Sequence, residues 1–271
     1  MKQTVFHNSI QKLLWVRPDA VGDATLSASM LPHLKERFEQ SEIHVICRSP
    51  LYDFYAECPY VDKVIAFDLD RLLNHEVYRR QLVELLARNK YDLCLDSSRS
   101  PTYVTEFLID NSGAEVKINH KAALGETPPI SELKNHRNFI NKIGCEVKKD
   151  LKPLVWISHH VEASVDKTFK ENNLEPSLTI VLAAGVGAPI LPIYSQKNRW
   201  IRRYDHYGEA LNSLCREKKQ TLVLVGTEAD LPSIHKNLRN FSGRVVNLAG
   251  KTSILEMAAI IKRATLLVGA D

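Results

Sequence analysis

The sequence predicts an α/β protein made of two doubly wound domains. Three observations carry this. Short apolar runs of strand length alternate with segments whose apolar residues recur at helical spacing. The alternation pauses in the middle of the chain and then starts again. At 271 residues, the chain is long for one domain and suits two. Strand–helix alternation of this kind implies parallel sheets covered by helices on both faces.

The first half opens with a strand at Leu13–Val16. A helix over Ala24–Phe38 follows, with Leu26, Met30, Leu31 and Leu34 near helical spacing. Ile43–Cys47 is the next strand, Leu51–Ala56 a short helix and Lys63–Phe67 a strand. Val77–Arg88 is a helix that places Val77, Leu82, Leu85 and Leu86 on one face, and Asp92–Asp96 and Thr102–Ile109 are strand and helix. The segment Ala122–Ser131 breaks the pattern, and Asn135–Ile143 is helical again. The linker is expected between about Asn141 and Ser177, which gives domains over 1–155 and 156–271. In the second half Leu178–Ala183, Thr221–Val225, Val245–Leu248 and Leu266–Val268 are strands. Tyr204–Lys218, Pro232–Asn240 and Ile254–Arg263 are the helices between them.

Composition narrows the function classes. The chain is 44% hydrophobic and 25% charged, a globular balance. Its 36 basic and 32 acidic residues are interspersed and leave a net charge of only +4, which does not argue for nucleic-acid binding. The 5 cysteines are far apart with no CxxC pair, which fits a reducing, cytoplasmic setting and offers no zinc spacing. The N-terminus lacks the apolar core of a signal peptide. The longest uncharged run, Leu178–Gln196, contains two glycines and two prolines and reads as a buried strand plus loop rather than a membrane span.

Several loops could carry chemistry. Arg17-Pro-Asp19-Ala-Val-Gly22-Asp23 follows the first strand and opens the first helix. Gly22 permits a tight turn or close ligand approach. Asp23 stands where a carboxylate commonly caps helix N–H groups, and that is the commoner role from spacing alone. At a strand's carboxyl end, the same group can be a general base. Ala184-Gly185-Val186-Gly187 resembles a shortened GxGxxG, with Ile190 in place of the third glycine, and its free N–H groups suit a diphosphate. Lys197-Asn198-Arg199-Trp200 puts two cations at a helix entrance, which is unfavourable unless an anion sits there. Glu228 and Asp230 follow the next strand and can either cap a helix or bind ribose hydroxyls. Gly250-Lys251-Thr252-Ser253 lacks the first P-loop glycine, since position 245 is Val, and Ser253 with Glu256 forms a capping box instead. His159 and His160 are adjacent and read as a surface pair.

At these residues the chain resembles glycosyltransferase family 9, the ADP-heptose:lipopolysaccharide heptosyltransferases. The resemblance rests on Arg17, Asp19, Gly22 and Asp23, on Leu34-Lys35, on Pro59–Ile65 and on Tyr91-Asp92. Its most specific block is Val245–Asp271, and Asp271 matches the family's aspartate after the last strand. The resemblance implies a GT-B fold of two Rossmann-like domains, with the acceptor on the first and the nucleotide sugar on the second. It implies Asp23 as catalytic base on an acceptor hydroxyl, a single inverting displacement, no metal and no cofactor beyond the nucleotide-sugar substrate. Arg17, Asp19 and Gly22 would form the acceptor-side loop. Gly185, Gly187, Lys197, Arg199, Glu228, Asp230 and Asp271 would form the donor side.

The chain departs from the family pattern at Asn198, where the family has the lysine of Lys-x-Trp, so Lys197 or Arg199 takes the phosphate. Either Glu228 or Asp230 takes the ribose. The family's Gly and His after Asp271 lie past the end of the sequence, so the second domain is expected to be incomplete. A non-catalytic relic or sugar-nucleotide-binding module of the same fold is the alternative function. A lipid-linked acceptor implies transient contact with the cytoplasmic face of the inner membrane, for instance through Lys117, Lys121 and Lys134. A nucleotide-sugar epimerase of the same fold is disfavoured by the two motif blocks.

Overall fold

A computed structural model describes residues 10–126, 128, 130–185, 204, 206–215 and 219–269. The chain divides into two compact units, 1–156 and 157–271.

In the first unit the strands are β1 (Lys12–Arg17), β2 (Glu42–Arg48), β3 (Lys63–Phe67), β4 (Leu93–Asp96) and β5 (Val116–Asn119). They form one sheet in the order β3-β2-β1-β4-β5, with every pairing parallel. The helices are α1 (Val21–Ala28), α2 (Leu31–Arg37), α3 (Tyr52–Ala56), α4 (Leu69–Asn74), α5 (Glu76–Asn89), α6 (Tyr103–Asp110), α7 (His120–Leu124) and α8 (Glu132–Lys142). Because β1 is buried along nearly its whole length, it reads as a continuous apolar run rather than an alternating one. Leu14 and Val16 of β1 join Phe67, Leu82, Leu86 and Leu108 in one core under α5 and α6.

The order of strands reverses direction between β1 and β4. In a doubly wound sheet that is the point where the strand ends leave a crevice. It brings the carboxyl ends of β1 and β4, at Arg17 and Asp96, next to each other.

The second unit holds α9 (His159–Glu171), β6 (Thr179–Ala183), α10 (Tyr207–Cys215), β7 (Thr221–Leu224), α11 (Leu231–Asn237), β8 (Arg244–Asn247), α12 (Ile254–Arg263) and β9 (Leu266–Gly269). Its strands pair in parallel in the order β8-β7-β6-β9, so the reversal lies between β6 and β9. Helix α12 begins with the expected capping box of Ser253 and Glu256, and Glu256 also accepts from Ser164 Oγ of α9 at 2.5 Å. No helix among the described residues is long and apolar enough to cross a membrane.

Four sequence expectations are corrected. The single helix over Ala24–Phe38 is two helices broken at Ser29–Met30. Pro32 has no N–H to give, and it sits near the start of α2, where none is needed. The first helix also starts earlier, at Val21, so Gly22 and Asp23 belong to its first turn. On α5 only Leu82 and Leu86 are buried, while Val77 is 68% and Leu85 41% exposed. At 3.6 residues per turn, Val77 lies about 140° round the helix from Leu82. The stretch expected as linker contains the whole of α9, whose Val161, Val165 and Phe169 are buried at a spacing of four. Strand β5 and helices α4 and α7 were not anticipated either. His159 and His160, at the start of α9, are both exposed, as expected of a surface pair.

Candidate functional site

Each unit carries a polar cluster at the carboxyl ends of its strands, in the first unit where the strand order reverses. In the first unit the cluster is built on Arg17, the last residue of β1. Its side chain is only 2% exposed. The guanidinium donates to Ser97 Oγ at 2.7 Å, contacts the Asp19 carboxylate and lies 4.0 Å from Asp96 Oδ1. It also lies 5.3 Å from the centre of the Trp15 ring. Burial by itself lowers the basicity of Arg17, and Asp19, Tyr55 and Asp96 more than restore it. Asp96 is fully buried, and its Oδ1 accepts from the Ser98 N–H at 2.9 Å. Burial raises the carboxyls of both Asp19 and Asp96 above the ordinary range, and Arg17 opposes the rise in each.

Helix α8 packs against α1 and α7 and closes one side of this cluster. His120 Nε2 and Asn135 Oδ1 are 2.6 Å apart, and Asn135 Nδ2 reaches back to the Ser97 carbonyl at 3.4 Å. His136 is buried, and its Nδ1 has no hydrogen-bond partner among the described residues. Burial, then Arg17, then His120 pull its pKa down to about 3, so the ring is neutral.

Of the residues singled out in the sequence, Arg17 and Asp19 fall inside this cluster. Gly22 and Asp23 lie just beyond it, in the first turn of α1, and both are exposed. The residue that starts α1, Ala20, offers no side-chain cap, and Asp23 makes no hydrogen bond to a described residue. Asp23 is therefore not spent on capping. Gly22 does not serve a left-handed turn, and a Cβ there would meet nothing within 4 Å. A glycine inside a helix turn costs roughly 1 kcal/mol relative to alanine. Neither backbone conformation nor packing explains that expense, and the space in front of the first turn is open.

In the second unit the loops after β6, β7 and β8 converge. A Cβ on Gly185 would sit 2.4 Å from Asp230 Cγ, so only glycine lets the β6 loop lie against that carboxylate. Asp230 Oδ2 accepts from the Thr227 N–H at 2.9 Å and from Thr227 Oγ1 at 2.6 Å. Gly226 takes a φ of 131°, which favours glycine, and its carbonyl accepts from the Gly250 N–H at 2.9 Å. Asp230 is thus half-buried and committed to its own turn. Glu228 is exposed and has no hydrogen-bond or ion-pair partner among the described residues. Gly187, Lys197, Arg199 and Asp271 lie outside the described residues. Among the described residues, no three His, Cys, Asp or Glu side chains are grouped to hold a metal ion.

Sequence reasoning missed Asp96, Ser97, Asn135 and His136. The signal for Asp96 was present in Leu-Cys-Leu-Asp-Ser-Ser, an apolar strand that ends abruptly in polar residues. The two α8 residues carry no comparable mark, because a polar residue on a helix is ordinarily solvated. The five cysteines are free, and burial pushes Cys47, Cys58, Cys94 and Cys145 up to about 12, so these thiols act as small apolar side chains.

Comparison with known proteins fits this geometry. Residues 158–271 match the family description Glycosyltransferase family 9 (heptosyltransferase). No curated protein matches the chain. Among solved structures, a glycosyl transferase family 9 protein from Veillonella parvula DSM 2008 is similar with a TM-score of 0.76 at 16% identity, over 96% of this chain and 75% of that one. The E. coli ADP-heptose lps heptosyltransferase II is similar with a TM-score of 0.69 at 19% identity, over 96% and 79%. E. coli heptosyltransferase WaaC with ADP gives 0.68 at 13% identity, over 96% and 81%. These likenesses span both units and show the fold, GT-B with Rossmann-like domains.

Two predictions follow from the packing and charge just described. Gly185→Ala should destabilise the second unit by roughly 1–3 kcal/mol through overpacking. Combined with Asp230→Ala, the total loss should be less than the sum of the two single losses, read by urea unfolding. Strict additivity would separate the two residues. For His136, the folded pKa lies below the unfolded value of 6.5. Its neutral ring therefore contributes fully above about pH 6.5, and that contribution is lost as pH falls toward 3. His136→Gln should flatten the drop in stability between pH 6.5 and 4.5 by roughly 2 kcal/mol. Parallel pH profiles for the variant and the parent would contradict this assignment.

Proposed function

We propose that this chain, whose residues 158–271 match the model of glycosyltransferase family 9, is an inverting glycosyltransferase. It transfers a heptose from a nucleotide-sugar donor, ADP-heptose, to lipopolysaccharide core. The family match is the observation that carries the reading. The similar solved structures include an ADP-heptose lps heptosyltransferase and a heptosyltransferase with ADP, and that likeness supports the same donor here.

Asp23 is the general base. Its carboxylate is exposed on the first turn of α1 with open space before Gly22, so an acceptor hydroxyl can approach it. The hydroxyl oxygen attacks the anomeric carbon as Asp23 takes its proton. The bond from that carbon to the diphosphate oxygen breaks on the opposite side, and the electron pair leaves with the nucleotide. The anomeric centre is inverted in one step and no further cofactor enters.

On the donor side, Glu228 is the better placed of the two acids to bind ribose hydroxyls, because Asp230 already holds Thr227. The glycine loop at Gly185 and Gly187, the cations Lys197 and Arg199, and Asp271 complete the donor contacts in this reading. Cations beside the leaving diphosphate stabilise the charge that develops there. The acceptor is lipid-linked, so the enzyme works at the cytoplasmic face of the inner membrane. The exposed Lys121 and Lys134 provide charge for transient contact with anionic lipid, whereas Lys117 already donates to the Asp110 carbonyl at 2.7 Å.

Asp23→Ala should lower transfer about 10²–10⁴-fold, with ADP affinity nearly unchanged by calorimetry. Turnover at the parent rate would remove Asp23 from the chemistry. Lys197→Ala and Arg199→Ala, singly and together, should weaken ADP binding by roughly 1.5–3 kcal/mol in at least one variant. Unchanged affinity in all three would remove that loop from the donor site.

A further inference from the structure

Two neighbouring strand ends of the first unit meet at one cation. Asp19 contacts Arg17, the last residue of β1. Arg17 is held in turn from β4, by Ser97 Oγ at 2.7 Å and by Asp96 Oδ1 at 4.0 Å. The chain of contacts runs outward from Asp96, 0% exposed, through Arg17 at 2% to Asp19 at 13%. Asp23 follows four residues later, one turn into α1 and in solvent.

Stability does not account for this arrangement. Buried ion pairs are often no more stable than apolar packing of the same volume. Here Trp15 Nε1, Arg17 Nε and His136 Nδ1 are also buried without hydrogen-bond partners among the described residues, and each such group costs about 1–3 kcal/mol. What the cluster does provide is a fixed starting point for α1. That helix begins at Val21, and its N-cap residue Ala20 makes no side-chain cap, so its first turn lacks the usual anchor. The Asp96–Arg17–Asp19 chain, with Ser97 Oγ also on Arg17, ties down the backbone directly before it.

We propose that Asp96 and Ser97 are positioning residues, which act through Arg17 and Asp19 to fix the first turn of α1 and so the place of the Asp23 carboxylate. The proposal rests on the reading of Asp23 as the base. A base displaced by about 1 Å can lose on the order of 10²-fold in rate. Neither Asp96 nor Ser97 touches the substrates.

The test is a set of double-mutant cycles on the full chain, with ADP-heptose and heptose-free lipopolysaccharide core as substrates. Asp96→Asn keeps the shape and removes the charge. It should lower kcat about 10–100-fold and leave the KM values for both substrates within about twofold. Ser97→Ala, which removes the hydroxyl that Arg17 donates to, should act in the same direction, and it decides the matter if Asp96→Asn does not fold. On an Asp23→Ala background neither change should slow the residual rate further, because a positioning residue has nothing left to position. Loss of the same factor with and without Asp23 would overturn the proposal, and so would unchanged kcat in the folded single variants. Parent-like turnover in Asp23→Ala alone would instead overturn the reading of Asp23, whatever the other variants do. Absence of transfer by the parent chain would overturn both.

Discussion

The first unit depends on one buried cation. Arg17 sits at the end of the central strand with a carboxylate on either side, Asp19 in its own loop and Asp96 on the neighbouring strand. Burial makes each of these groups expensive to charge, and each becomes affordable only through the others. The position of the cluster follows from topology. Strand order reverses between β1 and β4, no helix crosses between those two strand ends, and polar groups there can stay close to solvent without being immersed in it. Removing Arg17 would strand two buried carboxylates, whereas removing either carboxylate leaves the other as a partner.

The second unit solves a related problem with glycine. Its β6 loop lies against Asp230 because Gly185 has no side chain, and the β7 loop turns at Gly226 with a backbone angle that suits glycine. Asp230 is consumed in holding Thr227, so the neighbouring Glu228 is the acid left facing solvent. Each unit presents one exposed acid in the segment that follows a strand, Asp23 after β1 and Glu228 after β7. In both cases a nearby acid of the same loop does the structural work and frees the other.

Much of this was legible in the sequence, and the exceptions have physical reasons. Strands such as Lys63–Phe67 and helices such as Ile254–Arg263 stand where periodicity places them, because each buries a full face against a neighbour. Helix α9 was hidden because its polar residues dominate and its buried stripe is only Val161, Val165 and Phe169. The motif Arg17-x-Asp19-x-x-Gly22-Asp23 marked one loop but could not separate the buried Arg17 and Asp19 from the exposed Gly22 and Asp23. That division depends on Asp96 and Ser97, which are far away in sequence and near only after the sheet forms. Likewise, spacing alone left Glu228 and Asp230 equivalent. The distinction lies in a hydrogen bond from Thr227, which depends on how the turn closes.

The central claim is that Asp23, held by this buried charge cluster, deprotonates an acceptor hydroxyl for a single direct displacement. The stereochemistry of the product tests it most directly. The parent chain would be incubated with ADP-heptose of known anomeric configuration and heptose-free lipopolysaccharide core, and the new glycosidic linkage read by NMR couplings. The account predicts complete inversion at the anomeric carbon. Retention of configuration would require two displacements or a front-face route, neither of which a lone base on α1 provides, and would contradict it.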